Sequence, residues 1–315
     1  MDFPVQLIEA TVRVEQPVAD SARTVGTGFL VKAADADGRP HILLITAHHV
    51  LAGMPGNEAN IGYRFATENG GWNYAPQTLK IRDEAGAPLW THHPARDVAA
   101  IAIEAPPEFA KAAIPANYLA ADSFAERNLG PGQELMVLGF PRGLAANNAG
   151  FPILRSGRVA SYPVAPKSFP TFLLDFSVFP GNSGGPVFTT RTIRNASGAA
   201  AAQPVIAGLL TQQVELNSER LEIGVVTHAK YIVETMALME NAGAPITLAT
   251  DQGAVEGAKP AAQAPAKRSF LHAASAWVEA RLWAPVRLAG SWLAAWASEP
   301  WKAFASHAGD ETSAA

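Results

Sequence analysis

Gly181-Asn182-Ser183-Gly184-Gly185-Pro186, reached through a short apolar run from Phe172 to Pro180, decides how this chain is read. It sets one serine in a tight, glycine-flanked turn where the hydroxyl can project and neighbouring backbone N–H groups can converge. A nucleophile that attacks an acyl carbon needs that combination: an exposed oxygen beside donors for the developing oxyanion. Glycine at 181 and 184 permits backbone angles and close approaches that a Cβ obstructs. The same six residues also suit a hairpin turn with no chemistry, so the deciding residues lie upstream. A serine hydroxyl needs a base to take its proton, and the base needs an orienting group. His41 to Val50 is β-rich and ends on the pair His48-His49, and Arg96-Asp97-Val98 opens an apolar, strand-like segment. Taken singly, His49 also reads as a strand-end histidine and Asp97 as an ordinary cap.

Together the three segments resemble the chymotrypsin-like (trypsin-fold) serine proteases, in particular their cysteine-free bacterial branch that includes the HtrA-type enzymes. The family patterns T-A-x-H, D-[IV]-A and G-[DN]-S-G-G-P read here as Thr46-Ala47-His48-His49-Val50, Asp97-Val98-Ala99 and Gly181 to Pro186, in the family order. Three motifs in one order are far more specific than any one of them. The resemblance implies Ser183 as nucleophile, His49 as general base and Asp97 as the group that fixes its tautomer. It implies an oxyanion hole made by the backbone N–H groups of Gly181 and Ser183. His48 is assigned to strand geometry, turned by alternation to the face opposite His49. Adjacent histidines point apart on a strand, and no cysteine or carboxylate cluster completes a ligand set, so neither a metal nor a cofactor is expected.

Composition agrees with many strands and tight turns, with 26 glycines and 24 prolines in 315 residues. Strands are expected at 6–15, 28–33, 41–46, 98–103, 135–140, 157–162, 172–176, 186–190 and 205–213, and a helix at 228–241. The resemblance implies an all-β fold: two six-stranded antiparallel barrels with a C-terminal helix, then a linker and a short helical tail. The expected organisation is a barrel carrying His49 and Asp97 over residues 1–115 and a barrel carrying Ser183 and the closing helix over 116–245. An Ala/Pro/Gly linker follows over 246–268, and an amphipathic tryptophan-rich tail over 269–315.

Several departures from the digestive enzymes carry information. Cysteine is absent, so a reducing compartment is permissible. The start Met-Asp-Phe-Pro-Val lacks a basic stretch followed by an apolar one, which makes the cytoplasm the expected location. Asn182 stands where trypsin-like zymogens have the aspartate that pairs with a newly cut N-terminus, so activation by that cleavage is not expected. Aligned with the family, the base of the primary specificity pocket falls at Ser177, with Phe176 and Val178 beside it and Thr211 to Gln213 as its strand wall. A neutral base offers no carboxylate to a Lys or Arg side chain, which points to apolar or small residues at that position. Thr211 is also placed to support Asp97, and Gln213 to narrow the pocket.

Five of the seven tryptophans (277, 283, 292, 296 and 301) lie in the tail. Three readings of it stay open: an amphipathic segment peripheral to a membrane surface, docking on a protein partner or second protomer through residues 269–304, or packing back on the barrels. Too few residues follow the linker for the peptide-binding PDZ module that HtrA-type proteases usually carry. The net charge of −4 gives no sign of nucleic-acid binding. The expected activity is that of a serine endopeptidase acting on polypeptides. Its rivals are a catalytically silent binding module on the same fold and a self-processing protease regulated by its tail.

Overall fold

The computed structural model describes residues 2–18, 23–34, 40–120, 125, 129–190, 192–194, 200–202, 204–216, 219–242 and 247–250. The tryptophan-rich tail and all but the opening of the expected linker lie outside the described residues. The chain opens on helix α1 (Phe3–Ala10), where a strand from residue 6 was expected. Phe3, Leu7 and Ala10 recur at helical spacing and are the buried residues of this segment, whereas the two-residue alternation starts only at Thr11. Phe3 stacks on Tyr118 at 4.7 Å and meets Phe188 edge-on at 6.0 Å, which ties α1 to both halves of the molecule.

The first half continues through β1 (Thr11–Pro17), β2 (Arg23–Ala34), β3 (Pro40–Thr46), α2 (His48–Ala52), β4 (Glu58–Ala66), β5 (Trp72–Lys80), β6 (Thr91–His92), β7 (Ala99–Glu104), α3 (Pro107–Ala112) and β8 (Ile114–Pro115). The second half contains β9 (Glu134–Gly139), β10 (Ile153–Val159), β11 (Thr171–Asp175), β12 (Pro186–Thr189), the pair β13 (Thr192–Arg194) and β14 (Ala200–Ala202), then β15 (Val205–Leu216), β16 (Glu219–His228), α4 (Ala229–Ala242) and β17 (Thr247–Thr250). Six of these strands form a closed antiparallel barrel in the order β10-β11-β16-β15-β12-β9, as expected for the second barrel. Its interior is a separate apolar core that includes Leu135, Val137, Phe172, Leu174, Val187 and Leu210.

The first barrel differs from the expected six strands. Its pairings run β1-β4-β5-β17-β7-β3-β2, and β2 returns to β1 to close the ring. β17 comes from the segment expected to begin the linker. It lies parallel to β7 and antiparallel to β5, filling the gap between them. The core of this barrel includes Phe29, Leu44, Ile45, Ile61 and Ile101, and it extends across the interface to Leu138, Phe188, Leu209 and Ile232 of the second half. Both barrels therefore share an apolar seam, and the loops at its mouth are fixed by packing on either side.

Arg64 on β4 is fully buried in this first half. Its guanidinium donates to the carbonyls of Ile8, Glu9, Thr11 and Gly150, closing the C-terminal end of α1 and reaching the loop between β9 and β10. It also lies 4.8 Å from the Phe151 ring and 5.6 Å from that of Phe109. Burial pulls its pKa down to about 10, with Tyr74 and Glu9 working the other way.

Candidate active site

His48 and His49 do not end a strand. They open the short helix α2, with Ala47 as the capping residue, so the strand alternation used to separate them does not apply. The first N–H groups of a helix lack intrahelical acceptors. One is supplied from outside: His49 N–H donates to Asp97 Oδ1 at 2.9 Å. The other carboxylate oxygen lies 2.6 Å from His49 Nδ1. Asp97 therefore holds both the backbone and the ring of His49, which leaves Nε2 as the nitrogen available to a reacting group. Burial raises the Asp97 pKa, but the hydrogen bonds and charge of His49 outweigh it and hold the carboxyl below its usual range.

His48 has a different task. Its Nδ1 accepts the indole N–H of Trp90 at 3.1 Å, and its ring stacks on His92 at 4.3 Å. Burial, and then the neighbouring His92, push His48 below the usual imidazole range, which suits a neutral acceptor. Arg82 lies 5.1 Å from the Trp90 ring and donates to the carbonyls of Met54 and Gly56 just beyond α2. Sequence reasoning assigned His48 to strand geometry alone; the signal it missed was Trp90, whose buried N–H needs an acceptor.

His93 anchors the loop that bears Asp97. Ala95 N–H donates to His93 Nδ1 at 3.1 Å, so Nε2 carries the proton and donates to Glu234 Oε2 on α4 at 3.0 Å. The Arg96 guanidinium lies 5.5 Å from the Tyr231 ring on the same helix. The closing helix thus braces the Asp97 loop. Among the described residues no three His, Asp or Glu side chains gather as metal ligands.

The Ser183 turn, from the second barrel, lies against Thr27, Thr46 and Ala47 of the first. Gly181 and Gly184 take φ of +94° and +86°, the left-handed region where a side chain is disfavoured. A Cβ at Gly184 would also lie 2.1 Å from the Thr27 carbonyl oxygen. The N–H groups of Asn182 and Gly184 are bonded to Phe179 O and Leu210 O, at 3.0 and 2.7 Å. Those of Gly181 and Ser183, the two expected to form the oxyanion hole, have no protein acceptor among the described residues. Ser183 Oγ donates to the Thr211 carbonyl at 3.4 Å, a long bond.

Val178 is 6% exposed and belongs to the core of the second barrel, whereas Ser177 and Gln213 are partly exposed. The Ser177 carbonyl accepts from Arg155 at 2.6 Å, and that guanidinium lies 4.4 Å from the Phe176 ring. The register shift between Leu210 and Gln212 marks a bulge at Thr211. Thr211 Oγ1 bonds to Val225 O and Thr227 Oγ1 rather than to Asp97, correcting the support expected from it.

Two barrels meeting at a glycine-flanked serine turn, with a histidine–aspartate pair on the facing loops, define the chymotrypsin-like fold. Residues 26–193, just over half of the chain, match the trypsin-like peptidase domain, and the chain belongs to that family. Among solved structures it is similar to the HtrA-type protease AlgW with a tripeptide, at TM-score 0.45 and 17% identity over 78% of this chain and 65% of that one. It is also similar to AlgW with a decapeptide, at TM-score 0.44 and 15% identity over 77% and 69%. The chain thus spans about 65% of the length of the first of these. Among curated proteins none matches.

Proposed function

We propose that this peptidase is a serine endopeptidase that cleaves polypeptides with Ser183 as nucleophile, His49 as general base and Asp97 as its orienting group. The observation that carries the reading is the double hold of Asp97 on His49, at 2.9 Å through the backbone and 2.6 Å through Nδ1. In the first step His49 Nε2 takes the Ser183 proton as Oγ attacks the scissile carbonyl, and the N–H groups of Gly181 and Ser183 receive the oxyanion. The imidazolium, stabilised by Asp97, returns that proton to the leaving amine. Water then attacks the acyl-enzyme with His49 again as base.

The direction of the Ser183 hydroxyl favours one second reading, a catalytically silent binding module. The bond from Oγ to Thr211 O at 3.4 Å must give way before His49 can take the proton. A neutral hydrogen bond contributes only about 1 kcal/mol net, so turning the hydroxyl away from Thr211 is inexpensive. Labelling with a fluorophosphonate, read by intact mass, separates the readings. One adduct on the wild type that is absent from Ser183→Ala supports the peptidase. No adduct on the folded wild type leaves the binding module.

A further inference from the structure

The nucleophile turn is held by a residue of the other barrel. Thr27, on β2, is completely buried. Its N–H donates to the Ser183 carbonyl at 2.9 Å, and its Oγ1 donates to the Gly181 carbonyl at 2.6 Å. The same Oγ1 accepts the Phe140 N–H at 3.2 Å, and the Thr27 carbonyl accepts Thr46 Oγ1 at 2.7 Å. One hydroxyl therefore touches both the Gly181 turn and the start of the turn from Phe140 to Gly143.

That second contact bears on the oxyanion donors through peptide planarity. In a trans peptide the C=O and the following N–H point in opposite directions within one rigid plane. The Gly181 N–H shares its plane with the Pro180 carbonyl, which accepts the Arg142 N–H at 2.6 Å. The Ser183 N–H shares its plane with the Asn182 carbonyl, which accepts the Gly185 N–H at 3.0 Å. Each unpaired donor is thus aimed by the anchoring of the carbonyl behind it. Asn182 O is anchored within its own turn, but Pro180 O depends on Arg142, which comes from a different loop. Arg142 reaches it in a left-handed conformation, φ +55°, unfavourable for a residue with a side chain. Something must hold the 140–143 turn against the 180–184 turn, and the Thr27 hydroxyl bonds to both.

We infer that Thr27 is a positioning residue: its hydroxyl registers the Phe140–Gly143 turn against the Gly181 turn and so keeps the Gly181 N–H aimed as an oxyanion donor. The inference rests on the peptidase reading for its catalytic consequence but not for its structural one, and two experiments keep these apart. The first compares fluorophosphonate labelling of the wild type, Thr27→Val and Thr27→Ser, resolved into an inactivation rate constant and a reversible affinity. Thr27→Val is expected to lower the rate constant at least 30-fold with the affinity changed less than 2-fold, and Thr27→Ser to restore it to within 3-fold. A merely structural role lowers the folded fraction, seen by thermal melting, without changing the rate constant of the molecules that remain folded. Thr27→Val that is folded and labels at the wild-type rate overturns the inference.

The second experiment is hydrogen exchange on the unlabelled protein. Thr27→Val should speed exchange over both 140–143 and 180–185, and Thr27→Ser should not. If the wild type never labels, the peptidase reading fails while this comparison still decides the positioning role. Unchanged exchange in both turns overturns that role. Should Thr27→Val not fold, Thr27→Ala, which removes the hydroxyl without adding a buried methyl, takes its place in both experiments.

Discussion

Gly184→Ala tests how tightly the two barrels grip the nucleophile turn. The new Cβ would lie 2.1 Å from Thr27 O, 2.4 Å from Thr46 Oγ1 and 3.0 Å from Ala47 N, all belonging to the first barrel. Two of these contacts are with backbone, which cannot swing aside as a long side chain can. The residue also sits at φ +86°, and left-handed geometry costs a side-chain-bearing residue about 1–2 kcal/mol. Overpacking adds about 1–3 kcal/mol, giving a total of roughly 2–5 kcal/mol. At about 2–4 °C per kcal/mol for a domain of this size, the melting temperature should fall by about 4–20 °C. Gly70→Ala is the control: it has φ +76° with no atom within 4 Å of the new Cβ, so only the backbone cost applies. Thermal melting and the fluorophosphonate labelling rate are measured on both. If Gly184→Ala melts no lower than Gly70→Ala and labels like the wild type, the barrels do not grip the turn and the argument from close approach is wrong.

Asp97→Asn should leave the protein folded, since an amide oxygen can still accept the His49 N–H, yet lower kcat on a cleavable peptide by about 10⁴-fold through the wrong His49 tautomer; a loss under 10-fold would remove Asp97 from its assigned role. His48 is held below its usual value of 6.5, chiefly by burial. The unfolded chain therefore takes up a proton below that pH that the folded chain resists, and this contribution to stability is lost as pH falls through the lowered folded value. His48→Gln should flatten the fall in melting temperature between about pH 7 and pH 5, and an unchanged slope places the titrating group elsewhere. Arg64→Met leaves the carbonyls of Ile8, Glu9, Thr11 and Gly150 without their buried donor and should cost roughly 3–5 kcal/mol, about 10 °C in melting temperature. Arg64→Lys should not restore it, because an ammonium cannot reproduce the guanidinium fork; full rescue by lysine would show that charge alone matters there.

The strands that carry the motifs were legible because their sequences alternate or run apolar between turn residues. Expected strands at 41–46 and 172–176 emerge as Pro40–Thr46 and Thr171–Asp175. β4 and β5 were passed over. Arg64 occupies an inward position in an otherwise apolar run, and Trp72, Asn73 and Tyr74 make the start of β5 look like a loop. Their identity comes from pairing with each other over nine residues, information that no local window contains. Thr27 falls one residue before the strand expected at 28–33, and nothing in its neighbours marks a role. Its hydroxyl gains meaning from partners 113 and 154 residues away, which exist only once both barrels have formed. His93 and Glu234, 141 residues apart, were out of reach for the same reason.

The course of β17 has a bearing on how this protein is made. The barrel that supports His49 and Asp97 is the first to be translated and the last to be completed, because the strand between β5 and β7 lies at residues 247–250. Until that strand arrives, β5 and β7 present open edges, and the seam with the second barrel has only one finished side. Joining segments so distant in sequence adds little entropic cost, since loop closure grows only logarithmically with length, but it cannot happen before the segment exists. Completion of the first barrel is thereby tied to the synthesis of residues 247–250, long after the rest of that barrel has been made. A chain that has not yet reached residue 247 lacks the strand that fills the gap between β5 and β7, so the frame around His49 and Asp97 stays open until that late segment has been added.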